Sequence, residues 1–435
     1  MNPSRHHSRG SLTLVALCFT AVMAIALTSY LMVCYHALDL SVRDLQRSRA
    51  RNLAEIGLEE ALWSLNTKPV QWTSPAWTTV GANKTRIFTG YNLGPGATGQ
   101  IAVTVTNYAG STPTITSAAT VSLSTGRLFT KTLVATTKPA PLFGNAIAVS
   151  AGTVNLSSGG TVDSYDSRLG AYGGSNIGAA AILAGTNVSI TNATIQGYAA
   201  TYGTALSRSA GLVKSLTGTS HDPNRLSQSA YIPLFTVNTP VASANFTGTL
   251  SAGSQTIGTA GGATEYWYTD PWWSVDLNLG SGETLQINGP VKLIVTDDLI
   301  ISGDGKIQIN ANGRLEIFVA DDVSITGTGG IINNSTSNLP KNLALFSTGL
   351  TRTFTFRPSG AGATFYGVIY SAETNAATNF STNNPTVYGA VLAKFDVNFS
   401  TPNPILHYDV ALQNLPRDWF TNITTPFIIN QQTEL

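Results

Sequence analysis

Two pairs of neighbouring aspartates are the first residues whose types and spacing could do chemistry. Asp297–Asp298 lies in LIVTDDLIISGDGKI (293–307), and Asp321–Asp322 lies 24 residues later in the similar segment IFVADDVSITGTGGI (317–331). If 24 residues make one coil of a stacked β-structure, the two pairs lie about 4.8 Å apart, where they could bind Ca²⁺ or act as an acid/base pair. Aspartate before a strand also commonly forms a turn with the backbone. No Arg or Lys stands in register to neutralise an acidic sugar, so the turn is the favoured interpretation and cation binding stays open.

The tripeptide HYD that begins at His407 is a second candidate for catalysis. Its segment NFSTPNPILHYDV aligns with NFSTNNPTVYGAV nineteen residues earlier. His407 then takes the place of Tyr388, and Asp409 takes the place of Ala390, so HYD occupies an ordinary position of a repeat that we expect to end the stack. The chain has no GxSxG, HExxH or phosphate-loop motif. We therefore predict no enzyme and no cofactor, with a polysaccharide lyase as the least favoured alternative.

The segment EYWYTDPWW concentrates five aromatic side chains: Tyr266, Trp267, Tyr268, Trp272 and Trp273. Aromatic rings are large apolar surfaces that stabilise a core or a cap. We expect these five to cap or cover a β-structure. A surface on which a glycan stacks is the alternative.

Composition limits the class of protein that carries these residues. The 435 residues have a formal net charge of +1, and 11% of them are charged, so no nucleic-acid partner is expected. The two cysteines, Cys18 and Cys34, lie in one apolar run and would be about 24 Å apart on a helix. The rest of the chain therefore has neither a disulfide framework nor a cysteine metal site. Gly, Thr, Ser and Asn alternate there with Val, Ile and Leu, which is typical of an all-β protein with many turns.

Internal repeats at offsets of 19, 22 and 24 residues predict how those strands are arranged. Short strands at such periods favour a parallel β-helix, in which each coil buries its inward face against the next coil. We place this β-helix at 141–412, with an insertion at about 204–280 and a C-terminal tail at 413–435.

The chain before residue 140 predicts a smaller sheet. Three β-rich runs, Ile101–Asn107, Thr114–Leu123 and Leu128–Thr136, are separated by Gly and Pro turn signals. They predict an antiparallel sheet within 70–138, in which residues 70–90 are interpreted as the connection from the preceding helix.

The N-terminal segment predicts a helix that crosses a membrane. After Arg5 and Arg9 no charged residue occurs until Asp39, and about 20 apolar residues suffice to span a bilayer. The run is too long for a secretory signal and continues as an amphipathic pattern, so one helix is expected at 11–66. The leading arginines favour a cytoplasmic N-terminus, a single pass through the inner membrane and a periplasmic body. An uncleaved signal anchor is the simpler alternative.

A short basic leader that ends in Gly before such a helix resembles the leader of type IV pilin-like proteins, most closely the PilX-type minor pilins. The resemblance implies that residues 1–10 are a leader and that a prepilin peptidase cuts between Gly10 and Ser11. Major pilins usually have an aromatic residue or Met at the position of Ser11 and Glu at the position of Val15. Because that Glu neutralises a neighbouring subunit's amine, its absence implies a tip or initiator subunit rather than a repeating one.

Residues from about 285 to 412 also resemble a bacterial domain of unknown function that often follows PilX-type leaders, through INGPVKLIVTDDLIISGDGKIQI, FYGVIYSA, VYGAVLAK and ILHYDVAL. The fold class is therefore mainly β with one long N-terminal α-helix, a small antiparallel pilin-like sheet and a parallel β-helix.

The predicted function is a minor subunit of a type IV pilus or type II secretion filament. Its expected partners are prepilin peptidase, other pilin-like subunits, the inner-membrane assembly platform and membrane lipid, and its expected final location is the cell surface. The alternative is a membrane-anchored binding protein whose β-helix recognises a surface glycan or acts as an adhesin.

Overall fold

The structure is a computed structural model of the full chain. It describes residues 9–434 apart from 68–76, 157–158, 229–231, 233, 252, 350–352, 358–362, 372–376, 382–383, 400–401, 417–418 and 421–424, and it does not describe the side chains of residues 9–12. The chain divides into two compact units, Met1–Ala140 with Pro426–Leu435 and Pro141–Thr425. The predicted fold class, one long helix with an antiparallel sheet followed by parallel stacked strands, is confirmed.

One continuous helix, α1 (Arg9–Asn66), begins the first unit. At 1.5 Å per residue its 58 residues extend about 87 Å, and its bounds lie close to the predicted range 11–66. Its C-terminal half buries one stripe of residues at spacings of three and four, which is the pattern of an amphipathic helix on a sheet. The apolar members of the stripe are Ala50, Leu53, Ala54, Leu58, Ala61 and Leu65.

The sheet under this stripe is antiparallel and larger than the sequence predicted. Its first strands are β1 (Thr78–Val80), β2 (Asn83–Asn92), β3 (Ala97–Thr106), β4 (Thr114–Leu123) and β5 (Leu128–Pro139). The sequence pattern predicted a connection where β1 and β2 lie, because Gly and Asn interrupt the apolar residues there. On β3 the apolar side chains alternate inward, and α1 contacts β3, β4 and β5.

The second unit opens with short parallel strands that form its first coils. They are β6 (Ile147–Val149), β7 (Thr153–Leu156), β8 (Thr161–Tyr165), β9 (Ala180–Ala184), β10 (Asn187–Thr191), β11 (Thr194–Thr201), β12 (Ser207–Ser209), β13 (Leu212–Lys214) and β14 (Leu226–Ser227). Pairing of β12, β13 and β14 with the coil before them shows that the predicted insertion begins too early, because residues 207–227 already stack.

A second series of strands starts at residue 248 and continues the stack. It comprises β15 (Gly248–Thr249), β16 (Gln255–Ile257), β17 (Glu265–Tyr268), β18 (Leu277–Leu279), β19 (Thr284–Ile287), β20 (Pro290–Val295), β21 (Leu299–Ile301), β22 (Lys306–Ile309), β23 (Arg314–Val319), β24 (Val323–Ile325), β25 (Gly330–Asn333), β26 (Leu343–Ser347), β27 (Phe354–Phe356), β28 (Thr364–Ser371), β29 (Thr378–Phe380), β30 (Thr386–Ala393), β31 (Val397–Phe399) and β32 (Ile405–Asp409). Short 3-10 helices lie at Pro223–Arg225, Thr336–Asn338, Pro340–Asn342 and Val410–Asn414.

The repeats of the sequence set the register of this series. Pro290 pairs with Arg314 at an offset of 24, and Thr386 pairs with Ile405 at an offset of 19, as the aligned segments predicted. The predicted insertion also ends too late, since β15 to β18 (248–279) form the end coil of the stack. Those strands were missed because their sequence does not repeat that of the next coil.

The order of the coils in space differs from their order along the chain. The last strands, β31 and β32, pair in parallel with β7 and β8 of the first coil. We call this junction the seam. The prediction that HYD ends the stack is wrong, because β32 has a neighbour on each side, β30 and β8.

Residues 234–247, in the connection between the two series, lie along one outer face of the stack. The Tyr370 hydroxyl lies 2.6 Å from both the backbone N and the backbone O of Phe235. Further along, Tyr268 donates to the Asn245 carbonyl oxygen at 2.9 Å. Because Tyr370 lies on β28, this cover helps to bury both faces of that strand, whose second half reads as a continuous apolar run.

The C-terminus returns to the first unit as β33 (Phe427–Glu434), which pairs antiparallel with β5. The predicted C-terminal tail is therefore wrong for these residues, because polar side chains on an exposed edge strand read as a loop. The sheet has the order β1-β2-β3-β4-β5-β33. The whole β-helix is thus inserted between two neighbouring strands of one sheet.

Candidate functional site

The apolar front of α1, residues 13–38, is the largest exposed apolar surface among the described residues. Its large side chains are half or more exposed, with Leu17 at 70% and Val15 at 64%. By length and composition the helix can cross a membrane. The described side chains of Thr20 and Thr28 donate to helix carbonyl oxygens at 2.9 and 2.7 Å, so their hydroxyls need no water. This half of the helix therefore suits an apolar environment.

The predicted cleavage junction lies at the start of this helix. Residues 1–8 of the predicted leader and the side chain of Ser11 lie outside the described part of the chain. Val15 stands on the exposed helix surface. Between residues 13 and 38 the chain has no Asp, Glu, Lys or Arg.

Gly57 sets how closely the second half of α1 approaches the sheet. A Cβ at this position would lie 2.4 Å from Ser117 Oγ and 2.6 Å from Ile101 Cγ2. Both neighbours are fully buried on the sheet, so neither can move into solvent. The glycine therefore belongs to the packing of helix on sheet.

We expect Gly57→Ala to lower the free energy of unfolding of the first unit by about 1–3 kcal/mol, because the added methyl group overpacks this contact. In an exposed helix position the same change stabilises by about 1 kcal/mol. Chemical denaturation in detergent, with Ser48→Ala on the exposed side of α1 as control, measures the difference. Stabilisation by Gly57→Ala would contradict this packing.

The aspartates of the repeat form a ladder that ties successive coils together. Asp298 Oδ1 accepts from the Asp322 backbone N–H at 2.8 Å, and Asp322 Oδ1 accepts from that of Thr353 at 2.8 Å. The preceding residues of the two pairs are also bonded, because the Asp321 backbone N–H donates to the Asp297 carbonyl oxygen at 3.2 Å. The predicted stacking is confirmed, although the carboxylates of Asp298 and Asp322 bond the next coil rather than their own turn.

Asp276 extends this ladder by one coil. It was missed in the sequence analysis because its coil lacks the Asp-Asp pair. Its Oδ1 accepts from the Asp298 N–H at 3.2 Å. Ligand atoms of Asp276, Asp297 and Asp298 lie within 4.8 Å of one another, an arrangement that can hold a cation. Burial, followed by the neighbouring carboxylates, raises the pKa of Asp297, and burial chiefly raises that of Asp298.

His407 lies at the seam and is bonded across it. Its Nδ1 lies 2.5 Å from Asp163 Oδ1, and both side chains are buried. Tyr172 donates to Asp163 Oδ2 at 2.7 Å, and its ring stacks on His407 at a centroid distance of 3.6 Å. The ring of Tyr388 is tilted 41° to the imidazole at a centroid distance of 4.8 Å. Packing of this kind holds two coils together.

The environment of this cluster is apolar enough to affect its tyrosines. Burial, and then the neighbouring Tyr366, raises the pKa of Tyr388 to about 12. Burial and the hydrogen bond to Asp163 also raise the pKa of Tyr172. Asp409, the other member of HYD, accepts from the backbone N–H groups of Ser167 and Ala411 at 3.0 and 3.1 Å. It therefore does not join His407 in a catalytic pair.

The five aromatic residues of EYWYTDPWW separate into two groups. Tyr268 is buried, and Tyr266 and Trp267 pack partly buried against the core, as a cap requires. Trp272 and Trp273 are 77% and 75% exposed, so the prediction that they cover the stack is wrong. They follow β17, where the chain turns at Asp270 and Pro271 and leaves the end coil's core.

Comparisons with known proteins give one family and one solved structure. A model described as a domain of unknown function (DUF7305) matches residues 236–415, which contain the 285–412 stretch assigned from the sequence to such a domain. No curated protein matches. The competence-associated pilin ComZ from Thermus thermophilus is similar over 90% of this chain and 97% of that chain, at 11% identity and a TM-score of 0.19.

Proposed function

We propose that this protein is a minor pilin-like subunit of a type IV pilus or type II secretion filament. The observation that carries the proposal is the single helix α1, whose residues 13–38 are apolar and exposed while its second half packs on an antiparallel sheet. Leaving such a surface in water costs about 25 cal/mol per Å² of apolar area. A bilayer removes that cost before assembly, and a bundle of similar helices removes it afterwards.

The same helix favours a tip or initiator position. A repeating subunit needs a carboxylate to neutralise the terminal amine of its neighbour inside an apolar bundle, where an unpaired charge is costly. Val15 cannot do this. On this proposal prepilin peptidase and the inner-membrane assembly platform handle the chain, its N-terminus starts in the cytoplasm and its β-rich units are periplasmic or on the cell surface.

We also propose that the β-helix has no catalytic role. His407 is the candidate with the most suitable chemistry, and its Nδ1 is committed to Asp163 in a buried contact. The aspartate ladder bonds backbone amides from coil to coil, which is a structural task. A second candidate function, a membrane-anchored surface binding protein, is favoured by the exposed tryptophans of the end coil.

The N-terminus of the mature protein tests the filament proposal. We expect the protein purified from membranes of its own host to begin at Ser11. Replacing Gly10 by leucine should abolish this cleavage, because the peptidase must accommodate the residue before the scissile bond, whereas Ser11→Ala should leave it intact. Edman sequencing or intact mass distinguishes the forms. An intact Met1, or a start beyond residue 30, would overturn the proposal.

A further inference from the structure

Exposed large hydrophobic side chains of the second unit occur in only two regions of the described chain, residues 169–216 and 241–275. The described coils between 277 and 425 have none. The second region includes the end coil, and its most exposed members are Trp272 and Trp273. Two adjacent tryptophans more than 70% exposed are unusual on a soluble surface, because each ring leaves a large apolar area in water.

The turn that carries the two tryptophans is held firmly. Asp270 Oδ1 accepts from the backbone N–H groups of both Trp272 and Trp273, at 2.7 and 3.0 Å. The Thr296 hydroxyl donates to the Trp273 carbonyl oxygen at 2.8 Å and accepts from the Val275 N–H at 3.1 Å. The backbone is thus fixed before any ligand arrives, which lowers the entropic cost of binding.

Carboxylates lie directly beside this turn. Asp297 follows Thr296 in the chain, Asp276 follows Val275, and their oxygens belong to the same cluster. Among the described residues, neither carboxylate forms a salt bridge with Lys or Arg. Carboxylate oxygens are strong acceptors for hydroxyl groups, and they repel an anionic ligand.

We propose that Trp272 and Trp273, with Asp276 and Asp297 beside them, bind a neutral polysaccharide. The C–H faces of its hexose rings pack on the indole rings, and its hydroxyl groups donate to the carboxylates. A protein partner fits less well, because charged residues are depleted from the centres of protein interfaces. This site is independent of how α1 assembles, so it stands or fails separately from the filament proposal.

Affinity electrophoresis of the full-length protein in native gels tests the site. The gels contain one of three neutral polysaccharides, hydroxyethyl cellulose, dextran or galactomannan. Carboxymethyl cellulose, the anionic counterpart of hydroxyethyl cellulose, serves as the comparison. The detergent must lack a sugar headgroup, which would compete. We expect at least one neutral polysaccharide to retard the protein and carboxymethyl cellulose to have no effect. The double variant Trp272→Ala/Trp273→Ala should lose about tenfold or more in affinity.

Leu169→Ala is the matched control, because Leu169 is also 77% exposed but lies in a different coil. It should bind like the original protein. Asp297→Asn, which keeps the size of the side chain, should weaken binding without changing thermal unfolding. Any of three results would overturn the proposal. None of the three neutral polysaccharides retards the protein, the double tryptophan variant is retarded as strongly as the original protein, or the tryptophans mediate self-association and bind no glycan.

Discussion

Replacing His407 by leucine should lower the free energy of unfolding of the β-helix by about 3–5 kcal/mol, the usual cost of removing one partner of a buried polar pair. The change leaves Asp163 Oδ1 buried without its 2.5 Å partner and removes the ring that Tyr172 stacks on. It also opens the seam, where first and last coils meet. Denaturant unfolding of the full-length protein in detergent, followed by tryptophan fluorescence, measures the loss.

A double variant separates the pair from the packing. Asp163→Leu/His407→Leu removes both polar groups, so it should recover most of the stability lost in the single variant. Tyr388→Phe keeps the ring beside the imidazole and should cost less than either. If the double variant is as unstable as His407→Leu, the Asp163 contact does not stabilise the seam.

The β-helix should be removable without loss of the first unit. Pro139 pairs with Phe427, and the Ala140 N–H donates to the Pro426 carbonyl oxygen at 2.7 Å, so the ends of the insertion are adjacent. Replacing residues 141–425 by Asn-Gly would close β5 and β33 as a two-residue hairpin. We expect a membrane-inserted protein with a helix, an antiparallel sheet and one cooperative unfolding transition, measured by circular dichroism in detergent.

Deleting residues 426–435 instead should be far more harmful. Phe427 is 1% exposed in the core of the first unit, and its backbone N and O bond the Asn66 side chain at 2.6 and 3.1 Å. Loss of such a phenylalanine costs about 3–5 kcal/mol before the lost strand is counted. A first unit that tolerates this deletion, or that fails to fold after excision of 141–425, would contradict the inserted arrangement.

Much of this architecture can be predicted from the sequence, because local patterns determine it. The helix follows from an unbroken apolar run that continues as a stripe, and the coil register follows from repeats such as 293–307 with 317–331. Strands without a repeat, such as β16 and β18, carry no comparable signal. All of β33 after Phe427 is exposed and its second half is polar, so its pairing with β5 depends on contacts that no local pattern reveals.

The sites are less predictable than the fold, for the same reason. The aspartate pairs repeat and were found, whereas Asp276 does not repeat and was missed. HYD attracted attention as a possible catalytic motif, but its histidine bonds Asp163, a residue that nothing in the sequence connects with it. The exposure of Trp272 and Trp273 depends on where the end coil turns, which composition cannot indicate.

The seam also determines when the protein can finish folding. Asp163 and His407 are 244 residues apart in the chain, so β8 acquires its second neighbour only after β32 has been synthesised. At about 5–20 residues per second, this interval lasts roughly 10–50 s. During this interval β7 and β8 present an unpaired hydrogen-bonding edge, and such an edge can pair with a strand of another chain and aggregate. The edge of the first coils therefore stays open to such pairing until β31 and β32 add to the stack beside β7 and β8.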